Sequence, residues 1–567
     1  MIALDNMSIA DAPSHKPIAW HAIDWAAVHG TVRRLQVRIV KAAQAGKWHK
    51  VRSLQRLLIH SFSARALAVR RVTENRGKNT PGVDGEVWDT PAKKARAIER
   101  LINRRLAAQP LRRMYIPKAN GKMRPLGIPT MLDRACQALH LLGLDPVAEV
   151  TGDPNSYGFR RERSTADAIA KCYLTLCHQG SARWILEADI EACFDRLSHD
   201  WLLTHIPMHK ATLRKWLKAG YMEKYTLHPT PEGSPQGGPI SPALANMALD
   251  GLEALLLEQF PSRRHKVYLV RYADDFIVTG AERATLEEEV LPLIKEFLAE
   301  RGLRLSPTKT TITHIDDGFD FLGQTLRKYN GKLLTKPAKR KQKALLDKVR
   351  AIIKTEGRSL SAVGLIHRLN PIIRGWANYH RHVVSKRIFQ RIDHLIQKSL
   401  WQWARRRHGN KSRTWIYQQY FRPPGAQKFQ YQALTTDKEG NKRMAYIHLA
   451  GMTPIRRYVK VRAAANPYDP QWELYFEQRQ HNKTLDNVRH RPGVFTLLRL
   501  QEGRCPVCDQ PITLETGWHN HHIRWRVFGG GDELDNRVLL HPTCHQQIHH
   551  PDYSGPPLRP LRGVRDA

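Results

Sequence analysis

Residues 20–76 place apolar side chains at helical spacing on a basic background, which predicts amphipathic helices. The turn-rich run Thr80-Pro81-Gly82-Val83-Asp84-Gly85 closes them. From about 110 to 325 short strand patterns alternate with helical ones, predicting a mixed α/β domain. One strand is expected from Arg183 to Ile190, and a pair from Val267 to Arg271 and Phe276 to Thr279 around a tight turn with two aspartates. Helices are predicted over 164–179, with Ser164 and Thr165 as caps, and over 241–258 after Ser241-Pro242. Residues 338 to about 408 are helical and basic. Pro, Gly and Asn break up 420–500, which predicts no definite fold, and from roughly 500 the chain becomes a compact Cys/His-rich module. There is no internal repeat and no low-complexity tract.

Composition narrows the partners. The chain has 567 residues, enough for three or four domains, and 41% are hydrophobic, so ordinary cores can form. Its 91 Lys and Arg against 52 Asp and Glu leave a net charge of +39, a field that favours a polyanion, nucleic acid first. A merely solubilising basic surface is the alternative. The charge is concentrated: residues 331–420 hold 22 basic and 3 acidic side chains, +19 in under a fifth of the chain. Trp376, Tyr379, Trp401, Trp403, Trp415 and Tyr417 are interleaved there. Rings beside phosphate-binding cations suit RNA or single-stranded DNA, although such rings also build helical cores.

Seven cysteines do not make a disulfide scaffold, and a reducing compartment fits them best. No uncharged apolar run approaches a membrane span, and the first fifteen residues lack signal-peptide and presequence patterns. A cytoplasmic, bacterial and nucleoid-associated protein is the expectation.

Joining nucleotides requires a 3′-hydroxyl to be activated and a pyrophosphate to leave, which two divalent ions about 4 Å apart can manage if carboxylates hold them. Asp189 ends one predicted strand, and Asp274-Asp275 sit in the turn of a hairpin. If those strands are neighbours, the three carboxylates converge. An Asp-Asp pair in a turn proves little alone, because Asp is a common turn residue. The wider pattern says more. Tyr272-Ala273-Asp274-Asp275 resembles the YxDD box of reverse transcriptases, and the run from Ala188 to Asp195 resembles their first metal-binding segment. The run from Ser234 to Pro242 is similar to their PQGGPISP block, and Tyr115 to Lys118 with Gly121 to Pro129 to their fingers segment. Ser306 to Thr310 and Phe321-Leu322-Gly323 complete the order. On these blocks the chain resembles the group II intron-encoded reverse transcriptases over most of its length.

The resemblance implies roles residue by residue. Asp189 and Asp274 bind two Mg²⁺ ions, with the Ile190 carbonyl as a further ligand and Asp275 in support. Phe194 is the steric gate against a 2′-hydroxyl, so deoxynucleoside triphosphates are the substrates. Lys118 and Arg124 grip the triphosphate, Gln236 packs beside base and sugar, and Lys309 is a candidate proton donor to pyrophosphate. Glu191 and Asp195 are read as structural. The run from Leu369 to Tyr379 looks like the thumb, or maturase, region of the family, which implies that the RNA partner is the parent intron.

Near the C-terminus, Cys505-Pro-Val-Cys508 and His541-Pro-Thr-Cys544 have the spacing of a tetrahedral structural Zn²⁺ site. His541 stands where a third Cys is commoner. His545 and His549, four apart, share one helix face, and Asn536 falls fourteen residues after His522. This arrangement resembles the HNH nuclease. The resemblance implies His522 as general base, Asn536 orienting its ring, and His521, His545 and His549 holding one divalent ion. Many HNH modules begin with Asp, so His521 leaves the metal open. A structural zinc module that binds DNA is the competing reading.

The expected fold is therefore multidomain α/β and α: a right-hand polymerase with an antiparallel ferredoxin-like palm sheet, a helical thumb, and a small ββα-metal module. The expected boundaries are 1–85 for an N-terminal helical extension, 86–330 for fingers and palm, 331–420 for the thumb or maturase domain, 421–500 for a DNA-binding or linker region, and 501–567 for the nuclease. The expected activity is an RNA-directed DNA polymerase, splicing cofactor and endonuclease acting on intron RNA and target DNA. A maturase with decayed catalytic sites is disfavoured because every carboxylate and histidine is present. A host-adapted reverse transcriptase is disfavoured because the maturase and HNH segments are both retained. Oligomeric state is left open.

Overall fold

The computed structural model describes residues 18–560 except 76, 103–106, 118–120, 122, 235–236, 262–263, 422–428, 437–439, 526–527, 551–552 and 554. The sequence expectation about the first fifteen residues therefore lies outside the described residues. No helix among the described residues is long and apolar enough to cross a membrane.

Three N-terminal helices form where the helical period predicted them: Trp25–Gln44, Trp48–His60 and Phe62–Glu74. Asp24 caps the first, and Ser61 ends the second while its hydroxyl caps the third through the Ala64 N–H. Their apolar faces pack with the long helix Met131–Thr151 in one core. Between them a sheet is built on the hairpin of Leu111–Pro117 and Met123–Ile128.

The central sheet fixes the catalytic geometry. Its strands, Trp184–Asp189, Tyr268–Tyr272, Asp275–Gly280 and Thr311–His314, lie in the spatial order second, third, first, fourth, all antiparallel. Helices follow the first and third strands, giving a βαββαβ topology. Alternation along each strand feeds two cores. Leu186, Ala188, Leu269, Phe276 and Val278 enter one, while Ile185, Val270 and Ile277 enter the other. Both faces are thus covered, which leaves the strand ends as the open edge of the sheet.

The single helix expected over 241–258 is two, Ser241–Leu249 and Leu252–Gln259. Gly251 takes φ 95°, and the interruption frees Asp250 to receive the buried Arg271 guanidinium. An ion pair inside the palm thus overrides local helix propensity. The capping box at Ser164 and Asp167 starts Thr165–Leu176 as the sequence suggested.

A hairpin of Gln324–Tyr329 and Lys332–Pro337 leads into the basic helices Lys339–Lys354, Ala362–His380 and Lys386–Arg407. Trp403 is buried among them, Trp376, Trp401, Trp415 and Tyr417 pack partly against the same core, and Arg405, Arg406 and Arg407 stay exposed. Most of the rings are core, then, and the cations face solvent.

The stretch that predicted no fold is a strap. After the hairpin of Gln432–Thr436 and Lys442–Tyr446, the Val461 N–H and the Tyr458 hydroxyl both reach Asp167. Tyr468 donates to Asp145, and Arg33 to the Pro467 carbonyl. Helices Glu473–Val488 and Pro492–Leu500 then carry the chain to the hairpin of His519–His522 and Arg537–Leu540 and to the short helix Pro542–Gln547. The apolar residues of this last unit, Leu497, Leu498 and Val538 to Leu540 among them, lie in the same core as the N-terminal helices.

Candidate active sites

Asp189 and Asp275 are direct partners across neighbouring strands, and Asp274 lies in the hairpin turn beside them. The Ile190 N–H donates to the Asp274 carbonyl at 3.2 Å. On the other side the Ser306 N–H reaches the Asp189 carbonyl at 2.8 Å and the Glu191 N–H reaches Arg304 at 3.0 Å. That pairing turns the Ile190 backbone polar groups toward Asp274. The tight turn places Ala273 at φ 59°, and Gly158 runs so close behind it that a Cβ would lie 2.3 Å from the Ala273 nitrogen.

Crowding three carboxylates is electrostatically costly. Burial, then Asp189 and Asp274, push the Asp275 carboxyl up to about 7, and burial followed by Asp189 raises Asp274. Lys309 donates to Asp189 Oδ2 at 2.7 Å, so an ammonium stands where a bound cation would relieve the repulsion. This donor set fits hard divalent ions held by oxygen. Arg124 is exposed on its strand and near enough to pull the Asp274 carboxyl down. Glu191 pairs with Arg304 at 2.6 Å at the surface.

Phe194 is half-buried at the edge of the palm core, and its carbonyl accepts from the Ser234 N–H at 2.6 Å. The block containing Ser234 therefore lies against it. Gln236 and Lys118 fall outside the described residues. Phe159, which the sequence reading did not single out, meets Phe194 edge-on at 6.2 Å and is 56% exposed at φ 59°. An exposed aromatic in the left-handed region is a strained position, and it lies at the ring expected to act as the gate. Its sequence signal was the Gly158-Phe159-Arg160 run, whose arginine pairs with buried Glu149 at 3.0 Å.

In the C-terminal unit, the ligand atoms of buried Cys505, Cys508, His541 and Cys544 lie within 4.8 Å of one another. His541 Nδ1 faces Cys508 Sγ at 3.3 Å while its Nε2 lies 3.2 Å from the Pro511 carbonyl. That second contact fixes the tautomer that presents Nδ1 to a metal, as zinc ligands require. His521, His545 and His549 form a separate cluster within the same limit. Burial, then His545 and His549, hold His521 down at about 4, and burial, then His519 and His549, do the same for His545. Three imidazoles converging from a strand, a helix and the turn after it fit one divalent ion. The helix ends at Gln547, short of His549, but Ile548 keeps helical dihedrals, so the rings of His545 and His549 remain 4.8 Å apart. His519 approaches too, with its Nδ1 3.4 Å from that of His545.

The partner of His522 differs from expectation. Its Nε2 pairs with Asp532 Oδ1 at 2.6 Å. The Asn536 side chain instead accepts from the Arg524 N–H at 2.7 Å and donates to the Gly531 carbonyl at 2.8 Å. Asn536 thus ties the loop after the strand, and it acts on His522 only through the backbone. The spacing could not reveal this, because an Asp in a Gly-rich loop reads as a turn residue.

Carboxylates clustered at the edge of a βαββαβ sheet, and a separate imidazole cluster on a hairpin and helix in the C-terminal unit, define a nucleotidyl-transfer centre and a metal-dependent nuclease on one chain. Residues 116–326 match the reverse transcriptase (RNA-dependent DNA polymerase) family and 20–101 the N-terminal domain of reverse transcriptase. Residues 342–421 match the group II intron, maturase-specific domain, and 505–551 the HNH endonuclease. The chain is 34% identical over 306 residues to Protein YkfC of Escherichia coli, covering 46% of this chain and 79% of that protein. It is 29% identical over 354 residues to the group II intron-encoded protein LtrA of Lactococcus lactis, covering 51% of this chain and 59% of LtrA. A solved telomerase from Candida albicans, in complex with a fragment of telomeric RNA, overlays 55% of this chain and 64% of its own at 12% identity and a TM-score of 0.33, too loose to assign anything. The chain belongs to the group II intron-encoded proteins, with reverse transcriptase, maturase-specific and HNH endonuclease domains in one polypeptide.

Proposed function

We propose that the chain copies its intron RNA into DNA at a nicked target, assists splicing of the same RNA, and makes the nick itself. The observation that carries the polymerase role is the convergence of Asp189, Asp274 and Asp275 at one sheet edge with Lys309 as their counter-cation. Two Mg²⁺ ions would supply hydroxyl activation and charge neutralisation there, held by Asp189 and Asp274 with the Ile190 carbonyl. Asp275 supports the turn from the neighbouring strand. Phe194, backed by Phe159, closes the space where a 2′-hydroxyl would sit. Arg124, with Lys118 and Gln236, receives the deoxynucleoside triphosphate.

The thumb supplies the RNA-binding charge. Arg405, Arg406 and Arg407 end the helix Lys386–Arg407 in solvent, where they can neutralise phosphates without disturbing the core. In the nuclease, structural zinc belongs to Cys505, Cys508, His541 and Cys544, and one catalytic divalent ion to His521, His545 and His549. His522 takes a proton from water.

The test uses the full chain purified with its bound RNA. Sequencing that RNA is expected to return a group II intron. Asp274→Asn should keep the RNA bound yet lower primer extension on an RNA template by at least about a thousand-fold, because the substitution keeps shape and removes charge from both ions. A random RNA pool, or extension near the wild-type rate, overturns the reading.

A further inference from the structure

The zinc-type knuckle lies against the polymerase's N-terminal helices, and the contacts are polar as well as apolar. The Gln547 amide donates to the carbonyls of His21 and Ile23 at 3.0 and 2.9 Å, and His21 stacks on His550 at 4.6 Å. Thr543, one residue before Cys544, donates its hydroxyl to Glu74. Glu74 in turn accepts from Arg70 Nε at 3.2 Å. The Arg70 side chain is 6% exposed, and its guanidinium lies 4.6 Å from the Trp25 ring. Its Nη1 is buried with no hydrogen-bond partner among the described residues.

We propose that Arg70 is the counter-charge of the zinc–thiolate cluster, so that the nuclease's zinc site is built jointly by the polymerase and nuclease ends of the chain. The inference rests on the reading of Cys505, Cys508, His541 and Cys544 as zinc ligands.

Three thiolates and a neutral imidazole on Zn²⁺ carry a net charge of −1. The four ligand residues are 0–2% exposed, so water cannot solvate that charge. An unpaired buried ion costs several kcal/mol. Glu74 adds a second negative charge two contacts away, through Thr543. Arg70 is the buried cation bonded to Glu74, with Nη1 left without a partner among the described residues; burial opposes its charge, while Glu74, then Cys544 and Cys508, favour it. A guanidinium suits the position because it can donate to Glu74 and still direct Nη1 elsewhere, while Trp25 covers its face. Metal ligands are tuned by such outer contacts, whose removal costs about ten- to a hundred-fold in affinity.

The experiment measures zinc, not catalysis. Wild type, Arg70→Lys and Arg70→Met, all full-length, are titrated with a chromophoric zinc chelator. Hydrogen exchange of the helices Trp25–Gln44 and Phe62–Glu74 is followed in wild type before and after chelation. Arg70→Met should hold zinc about ten- to a hundred-fold more weakly, with Arg70→Lys in between. Stripping zinc from wild type should speed exchange in both helices. A folded Arg70→Met protein with wild-type zinc affinity overturns the proposal, and so does unchanged exchange after stripping. The exchange arm decides even if Arg70→Met does not fold. If wild type purifies without zinc and Cys508→Ser changes nothing, the ligand reading itself has failed, which is a different outcome.

Discussion

The Lys309 ammonium lies 2.7 Å from Asp189 Oδ2, so the chain itself supplies a cation to the first carboxylate of the cluster. Lys309 is 62% exposed and reaches in from the loop that begins at Ser306, whose N–H holds the Asp189 carbonyl. A side chain that tethers to a metal-binding carboxylate can release it when the ion binds and then face the pyrophosphate.

Lys309→Met should therefore act in two directions. Removing the competing ammonium lowers the Mg²⁺ concentration needed for half-maximal synthesis. With Lys309 as the proposed proton donor to pyrophosphate, its loss should lower the maximal rate by about a hundred-fold or more, the range of general acid catalysis. Single-turnover extension across a magnesium series separates the two. An unchanged rate and magnesium midpoint would reduce the contact to a surface ion pair.

The proposed sugar selection rests on Phe194 and the ring beside it. Phe194→Ala should raise ribonucleotide incorporation by at least about ten-fold relative to deoxynucleotide, since one lost steric exclusion is worth at least 1.4 kcal/mol. Phe159→Ala should relax the same ratio by less, because Phe159 touches Phe194 edge-on at 6.2 Å and only props it. Competition between paired nucleotides on one template gives both ratios. A ratio that moves for Phe159→Ala and not for Phe194→Ala would exchange their roles.

Much of this arrangement is legible in sequence, for physical reasons that differ from site to site. The strand ending at Asp189 and the hairpin around Asp274 alternate apolar residues into two cores, so period-two patterning places the carboxylates. The cysteine and histidine spacings are equally local. What escapes is long-range. The break at Asp250-Gly251 is set by Arg271, whose guanidinium enters from another element. The strap ahead of the helix Glu473–Val488 has little periodicity because single polar contacts, such as those of Tyr458 and Val461 with Asp167, hold it rather than an apolar stripe of its own. Asp532, a turn residue by composition, becomes the partner of His522 only once the loop closes.

Acid should loosen the thumb. His380 is 1% exposed, with Nδ1 3.1 Å from Gln324 Oε1, and burial, then the charges of His382 and Lys341, hold it down at about 3. Its folded value thus lies below its unfolded one, so its contribution is complete above about pH 6.5. Between about pH 6.5 and 3 the unfolded chain takes up a proton that the folded one refuses, and stability falls by up to about 1.4 kcal/mol per pH unit. Half-buried Asp393, raised to about 6 by burial, works in the opposite sense over part of that window. His380→Gln removes only the histidine's share. Urea midpoints between pH 7 and 4.5 should therefore fall less steeply in the variant, and parallel slopes would show that His380 does not titrate on unfolding.

The nuclease offers the last prediction: with His522 as the proposed base, its pairing with Asp532 decides which ring atom would take the proton. With Nε2–H donated to Asp532, Nδ1 is the ring atom left to accept a proton from water. The attacking hydroxide opens the phosphodiester, and the proton that returns to the departing 3′-oxygen completes a cut with 3′-hydroxyl and 5′-phosphate ends. Those are the ends that the carboxylate site can extend. His522→Ala should abolish nicking of the target strand, and Asp532→Asn should slow it by about ten-fold or more by loosening the tautomer. Neither should change zinc content, because the Cys505, Cys508, His541 and Cys544 cluster is separate from both. Asn536→Ala should act differently. It releases the loop held at Arg524 and Gly531, so faster hydrogen exchange there should accompany the lost activity. Strand-specific end-labelling of a target duplex, incubated with the RNA–protein complex, reads rate and end chemistry together. Wild-type nicking by His522→Ala, or 3′-phosphate ends, would remove His522 from the reaction. Full activity in Asp532→Asn would leave His522 as the base but return its orientation to the backbone that Asn536 holds.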